Sequence, residues 1–131
     1  MPPTVLALAL LASPPGVVVE SDVRSVLDDG PLAAAAPALR SAAPAEVAAA
    51  LQGRSEPEAR FLRVRALVQC GRGEEALAEV AGLAEALPAV ADHAWALEAR
   101  APEAAARPAD AAAAWSRVPA RSILWPEARL A

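Results

Sequence analysis

At 131 residues the chain suffices for one domain or a piece of a larger one, and its 56% apolar content is carried mostly by alanine, with only 3% aromatic. Alanine favours helix strongly yet buries little surface, at about 0.8 kcal/mol per buried methylene, so an all-α protein with closely packed helices and a thin core is expected. A net charge of −4, with acids and arginines interleaved, excludes a clustered nucleic-acid-binding stripe; a single Cys and a single His exclude an internal disulfide and a multi-histidine metal centre.

In chain order, residues 1–16 hold an apolar run, Val5 to Leu11, followed by Ser13-Pro14-Pro15-Gly16. The run is too short to span a bilayer but suits the core of a secretory signal, with a cleavage zone behind it. No basic residue precedes it, and Leu10-Leu11-Ala12 lacks the small residue expected three positions before a cut. Export to the periplasm or cell envelope is the expectation, with a cytoplasmic location as the alternative. Residues 17–54 read as N-terminal helices. Val17–Glu20 links, Ser21 caps a short helix to about Asp28, and Asp29-Gly30-Pro31 breaks it. A helix from Leu32 to Ala42 follows, kinked or divided at Pro37. Another starts at Pro44 and runs through Leu51, and Gln52-Gly53-Arg54 closes it.

Ser55-Glu56-Pro57-Glu58 has capping-box spacing, with Ser55 as the cap. It opens a helical pair from Glu56 to Leu87. On the first helix Phe61, Val64, Leu67 and Val68 share a face. Gly71-Arg72-Gly73 makes the turn, where two glycines allow positive φ. Glu74 and Glu75 complement the dipole of a second helix, whose stripe is Ala76, Val80, Leu83, Ala84 and Leu87, and Pro88 stops it. A second pair spans Ala89 to about Ala106 and Pro108 to Val118, with a kink expected at Pro102. After a loop, Pro119 to Ser122, Leu124-Trp125-Pro126-Glu127 opens another helix. The chain stops barely a turn later, which predicts a fragment of a longer protein.

The two pairs are copies. A shift of 35 brings Gly71-Arg72-Gly73 onto Ala106-Arg107-Pro108, Ala76 onto Ala111, Val80 onto Trp115, Leu83 onto Val118, Val64 onto Ala99 and Phe61 onto Ala96. Independently, Pro57-Glu58-Ala59-Arg60 recurs as Pro126-Glu127-Ala128-Arg129, a shift of 69, or about two periods. The pattern resembles the tetratricopeptide repeat, with GRGEEAL as the turn, small residues Ala76, Ala99 and Ala111 where helices cross, Trp95 on the first-helix tryptophan position, and Pro88 closing the unit. Arg60 and Arg63 depart from it, standing where that family prefers bulky apolar side chains. The resemblance implies degenerate repeats over about 55–88 and 89–122, a third starting at 123–131, and a right-handed α-α superhelix of antiparallel hairpins. The Ala/Arg-rich copies and the segment VPARSILWPEARLA also look like the N-terminal superhelical region of bacterial soluble lytic murein transglycosylases, periplasmic enzymes of peptidoglycan turnover. That family's chemistry sits in a separate domain with a catalytic Glu followed by Ser; Glu20-Ser21 lies outside any such context. The resemblance therefore implies a scaffold without its enzyme.

No set of residues is assigned as catalytic, cofactor-binding or metal-ligating. Cys70 ends an apolar face and reads as a small core residue. Glu74/Glu75 and Asp28/Asp29 are sequence neighbours that point apart on a helix, and read as solvated ends rather than acid/base pairs. His93 beside Asp92 reads as surface or packing. Trp95, Trp115 and Trp125 read as core between hairpins, with a carbohydrate-stacking platform as the sharper alternative. Repeat solenoids bind on the concave surface lined by first helices. There Arg65 and Arg100 occupy equivalent places, with Gln69 and Glu103 nearby, and successive arginines suit an extended acidic peptide or a carboxylate. The leading expectation is a protein-interaction scaffold, the non-catalytic part of a lytic-transglycosylase-like envelope protein, with peptidoglycan engaged only through a missing domain. A free-standing tetratricopeptide adaptor is the alternative.

Overall fold

The computed structural model describes Gly30 and residues 32–131. The signal-like run, the Val17–Glu20 linker and the helix at Asp22–Asp28 lie outside the described residues. Among those described, every regular element is helical and no strand is present. None of these helices is long and apolar enough to cross a membrane.

A 3-10 turn at Ala33–Ala35 leads into α1 (Ala36–Arg40), with Pro37 in the first turn of α1, where its missing N–H costs nothing. Then come α2 (Pro44–Ala50), α3 (Pro57–Gln69), α4 (Gly73–Val80) and α5 (Leu83–Ala86). A second 3-10 turn, Pro88–Val90, precedes α6 (Ala91–Ala104), α7 (Pro108–Ser116) and α8 (Trp125–Ala128).

The 35-residue register is visible in the backbone itself. At the end of α3, Gly71 has φ +71°; its N–H donates to Val68 O at 3.0 Å and the Arg72 N–H to Leu67 O at 2.9 Å. At the end of α6, Ala106 has φ +58°, with Ala106 N–H to Glu103 O at 3.0 Å and Arg107 N–H to Pro102 O at 2.8 Å. Both are Schellman closures of a helix, which satisfy carbonyls the last turn would otherwise leave free. The next helix starts alike in each case, with Arg72 O accepting from Ala76 and Arg107 O from Ala111, both at 3.1 Å.

A third copy of this turn stands at Ala42-Ala43-Pro44. Ala42 has φ +52°, its N–H donates to Leu39 O at 3.3 Å and that of Ala43 to Ala38 O at 2.9 Å, and Ala43 O accepts from Val47 at 3.0 Å. The same turn geometry thus also joins α1 to α2, and the spacing from it to the next turn is 29 residues instead of 35. Val47, Ala76 and Ala111 fill one buried place after the turn; Leu51, Val80 and Trp115 fill the next.

The hairpin α3–α4 packs on α2, and α6 lies against both α3 and α4 before pairing with α7. One apolar cluster runs from Leu32 to Ala101 through Leu51, Val64, Leu67 and Leu83, all fully buried; a smaller one holds Ala96, Ala99, Ala114, Trp115 and Val118. Alanines at the crossings let backbones approach closely. The tightest approach is at Gly73, where an added Cβ would lie 2.1 Å from Ala105 N and 2.3 Å from Ala104 C. Gly73 is therefore required for contact between hairpins, not for positive φ, which only Gly71 adopts in this turn.

Two expectations are corrected. Ser55 does not cap α3: Pro57 at the first helical position disfavours helical geometry at Glu56, which takes φ −61°, ψ 134° and becomes the flanking residue, without a side-chain cap bond. The helix expected from Glu74 to Leu87 is broken at Ala81-Gly82, where Gly82 adopts φ +78°. Pro102 lies inside α6 as expected, in its last turn, and the helix continues to Ala104.

Candidate functional site

Arg60 and Arg63, the residues that depart from the repeat pattern, satisfy carbonyls at the ends of α4 and α2. The Arg60 Nη2 donates to Glu79 O at 2.7 Å and Ala81 O at 3.0 Å, carbonyls at the end of α4. Arg63, only 5% exposed, donates through Nε to Ala48 O at 3.1 Å and through Nη1 to the Glu79 carboxylate. Two arginines at i, i+3 on one face of α3 thus tie α2 and α4 to it by charge-assisted bonds. Their spacing within an otherwise apolar face was the available signal, and sequence reasoning read it only as a departure.

The first helices α3 and α6 frame a groove. Residues four apart on α3, Phe61 and Arg65, face His93, Leu97 and Arg100 of α6 across a cavity of about 320 Å³. The Arg65 side chain is exposed and makes no hydrogen bond or ion pair with any described residue. Arg100 donates to Glu127 Oε1 of α8 at 2.8 Å, a pair with both side chains nearly half exposed. Arg65 also borders a neighbouring cavity of about 350 Å³ between α3 and the first hairpin, and Gln69 lines it with Leu39, Val47 and Leu62. Arg65 and Arg100 are therefore brought into one cavity and Gln69 into the adjoining one. Glu103 is not in either: its Oε1 accepts from Trp115 Nε1 at 2.6 Å, anchoring a tryptophan that is 3% exposed.

Trp115 is core, and Trp95 and Trp125 are half-buried, so the three do not present a common exposed platform. Asp92 and His93 part company: Asp92 accepts from the Ser122 hydroxyl, while His93 is exposed in the groove. Glu74 and Glu75 are exposed, and each meets an arginine. Arg72 donates to both oxygens of Glu75, at 2.7 and 2.6 Å, which holds that carboxyl below the usual range, and Arg107 reaches Glu74 at 3.2 Å. Arg72–Glu75 recurs one period on as Arg107–Asp110, at 4.0 Å.

On the other side, the break after α4 opens a larger cleft, about 670 Å³, with Glu85, Glu98, Asp110 and Arg117 over Leu77 and Val80. Burial, and then the Glu85 charge, push the Glu98 carboxyl above its usual range, against Arg117 and an Ala84 N–H that favour ionisation. Among the described residues no group of three or more His, Cys, Asp or Glu side chains is placed to hold a metal ion.

Compared with protein-family models, with curated proteins and with solved structures, the chain matches none. What the described residues establish is an all-helical protein in which one hairpin turn recurs, with a cationic, partly apolar groove along two of its first helices.

Proposed function

We propose that this chain is a protein-interaction module of the tetratricopeptide-like class, a right-handed superhelix of antiparallel hairpins whose first-helix groove takes an extended acidic segment of a partner protein. The observation that carries this reading is the convergence of Arg65 and Arg100 on one cavity, beside the apolar surfaces of Phe61 and Leu97. Guanidinium groups recognise carboxylates with two parallel bonds, and an apolar floor adds burial that a simple charge patch lacks. Recurrence of the turn at Ala42, Gly71 and Ala106 supports a repeat architecture, in which first helices line the binding surface. The VPARSILWPEARLA segment supports an envelope setting beside a peptidoglycan-cleaving domain; recovery of the protein from the periplasmic fraction tests that setting, and a cytoplasmic free-standing adaptor is what the opposite result selects.

The groove is tested with a labelled peptide of alternating glutamate and leucine, titrated by fluorescence anisotropy. The native chain binds it, a lysine-leucine peptide does not bind, and Arg65→Glu weakens binding by about tenfold or more. Equal binding by Arg65→Glu contradicts the reading.

A further inference from the structure

The two groove arginines are equivalent by repeat but not by state. Glu127 stands 27 residues after Arg100 and supplies it with a carboxylate at 2.8 Å. Asp92 stands 27 residues after Arg65, in the corresponding place, but its carboxylate accepts from the Ser122 hydroxyl, a group on the loop before α8. Ser122 Oγ also accepts from the Leu124 N–H at 3.1 Å, so this one hydroxyl both occupies Asp92 and shapes the entry to α8. Arg65 is left without a partner among the described residues, and Arg100 is not.

From this asymmetry we infer that Glu127 is an internal pseudo-ligand of the groove, a displaceable carboxylate that an acidic partner must replace to reach Arg100. The inference rests on the acidic-partner reading of the same groove. Several features make α8 fit for displacement. Its anchorage is the packing of Leu124 and Ala128 at the margin of the smaller apolar cluster, and Ile123 beside it is largely exposed. The Arg100–Glu127 pair has side chains 43% and 48% exposed, the class of ion pair that contributes least and that salt screens most. Partner capture thus proceeds in two stages: Arg65 takes the first carboxylate without competition, and Arg100 takes a second by exchange with Glu127.

The test compares the native chain, Glu127→Gln and Arg65→Glu with the same glutamate-leucine peptide. Glu127→Gln keeps the shape of α8 and removes the competing charge; it is expected to bind about two- to fivefold more tightly at low salt, with the advantage lost near 1 M salt, where the screening length falls to about 3 Å. The double variant Arg100→Gln/Glu127→Gln loses the gain, because the freed site has no cation to offer. If Glu127→Gln binds no more tightly while Arg65→Glu still weakens binding, the pseudo-ligand is overturned and the groove reading stands. If neither variant changes affinity, both fall. A nuclear magnetic resonance titration adds a readout independent of affinity: α8 amide resonances of the native chain shift on peptide addition, and their failure to move overturns the exchange.

Discussion

At the scale of single residues, two positions show how a side chain's size and charge decide what the fold tolerates. Gly73 meets the backbone of Ala104 and Ala105, which has no flexible end to move aside. Gly73→Ala must separate α4 from α6, and is expected to lower unfolding free energy by about 1–3 kcal/mol in urea titration; a neutral result contradicts the close approach. Arg63 is buried and carries both an end carbonyl of α2 and the Glu79 carboxylate. Arg63→Met retains the apolar stem but strands both acceptors, and is expected to cost about 2–3 kcal/mol, since Glu79 keeps some contact with water. Adding Glu79→Gln should recover part of that loss, a coupling read by a double-mutant cycle. Neither role was legible beforehand. A glycine beside a turn suggests positive φ, and only the partner helix shows that Gly73 is selected by contact. An arginine on an apolar face is a departure until the helix-end carbonyl and the carboxylate it satisfies are known.

Helices and turns were more legible, because local rules govern them. The α3–α4 and α6–α7 hairpins follow from apolar spacing and the 35-residue shift, which reappears in matched hydrogen bonds at Gly71 and Ala106. Ala42-Ala43-Pro44 was missed as a turn of the same kind because alanine gives no sign that it will take positive φ. That strain is testable. Gly71→Ala is expected to destabilise by about 1 kcal/mol, whereas Ala106→Gly at the equivalent place stabilises by about 0.5–1 kcal/mol, as thermal unfolding would record. The break at Gly82 was hidden by the continuous apolar stripe from Ala76 to Leu87. Its consequence is the cleft where Glu98 is partly buried beside Glu85. A carboxyl whose pKa is raised on folding binds its proton more firmly in the native state, so its contribution is best below the ordinary glutamate range and is lost as pH rises through the raised value. Glu98→Gln should therefore raise the melting temperature at pH 7, with the gap closing in acid; a gap that is constant with pH contradicts the burial argument.

For the whole molecule, all-helical character was readable from alanine content and periodicity, and the groove partly so. Repeat register put Arg65 and Arg100 in equivalent places, and both line one cavity. Register could not place Glu103, since its partner Trp115 lies on the other helix of its hairpin, nor reveal that α8 brings Glu127 to Arg100. Those contacts depend on how successive hairpins pack, which spacing alone does not encode. The most direct measurement of the central claim is a residue-resolved nuclear magnetic resonance titration of the chain with the glutamate-leucine peptide. The account predicts shifts concentrated at Phe61, Arg65, His93, Leu97 and Arg100, and in α8 around Glu127. Shifts concentrated instead in the cleft of Glu85, Glu98 and Asp110, or none at saturating peptide, would contradict it.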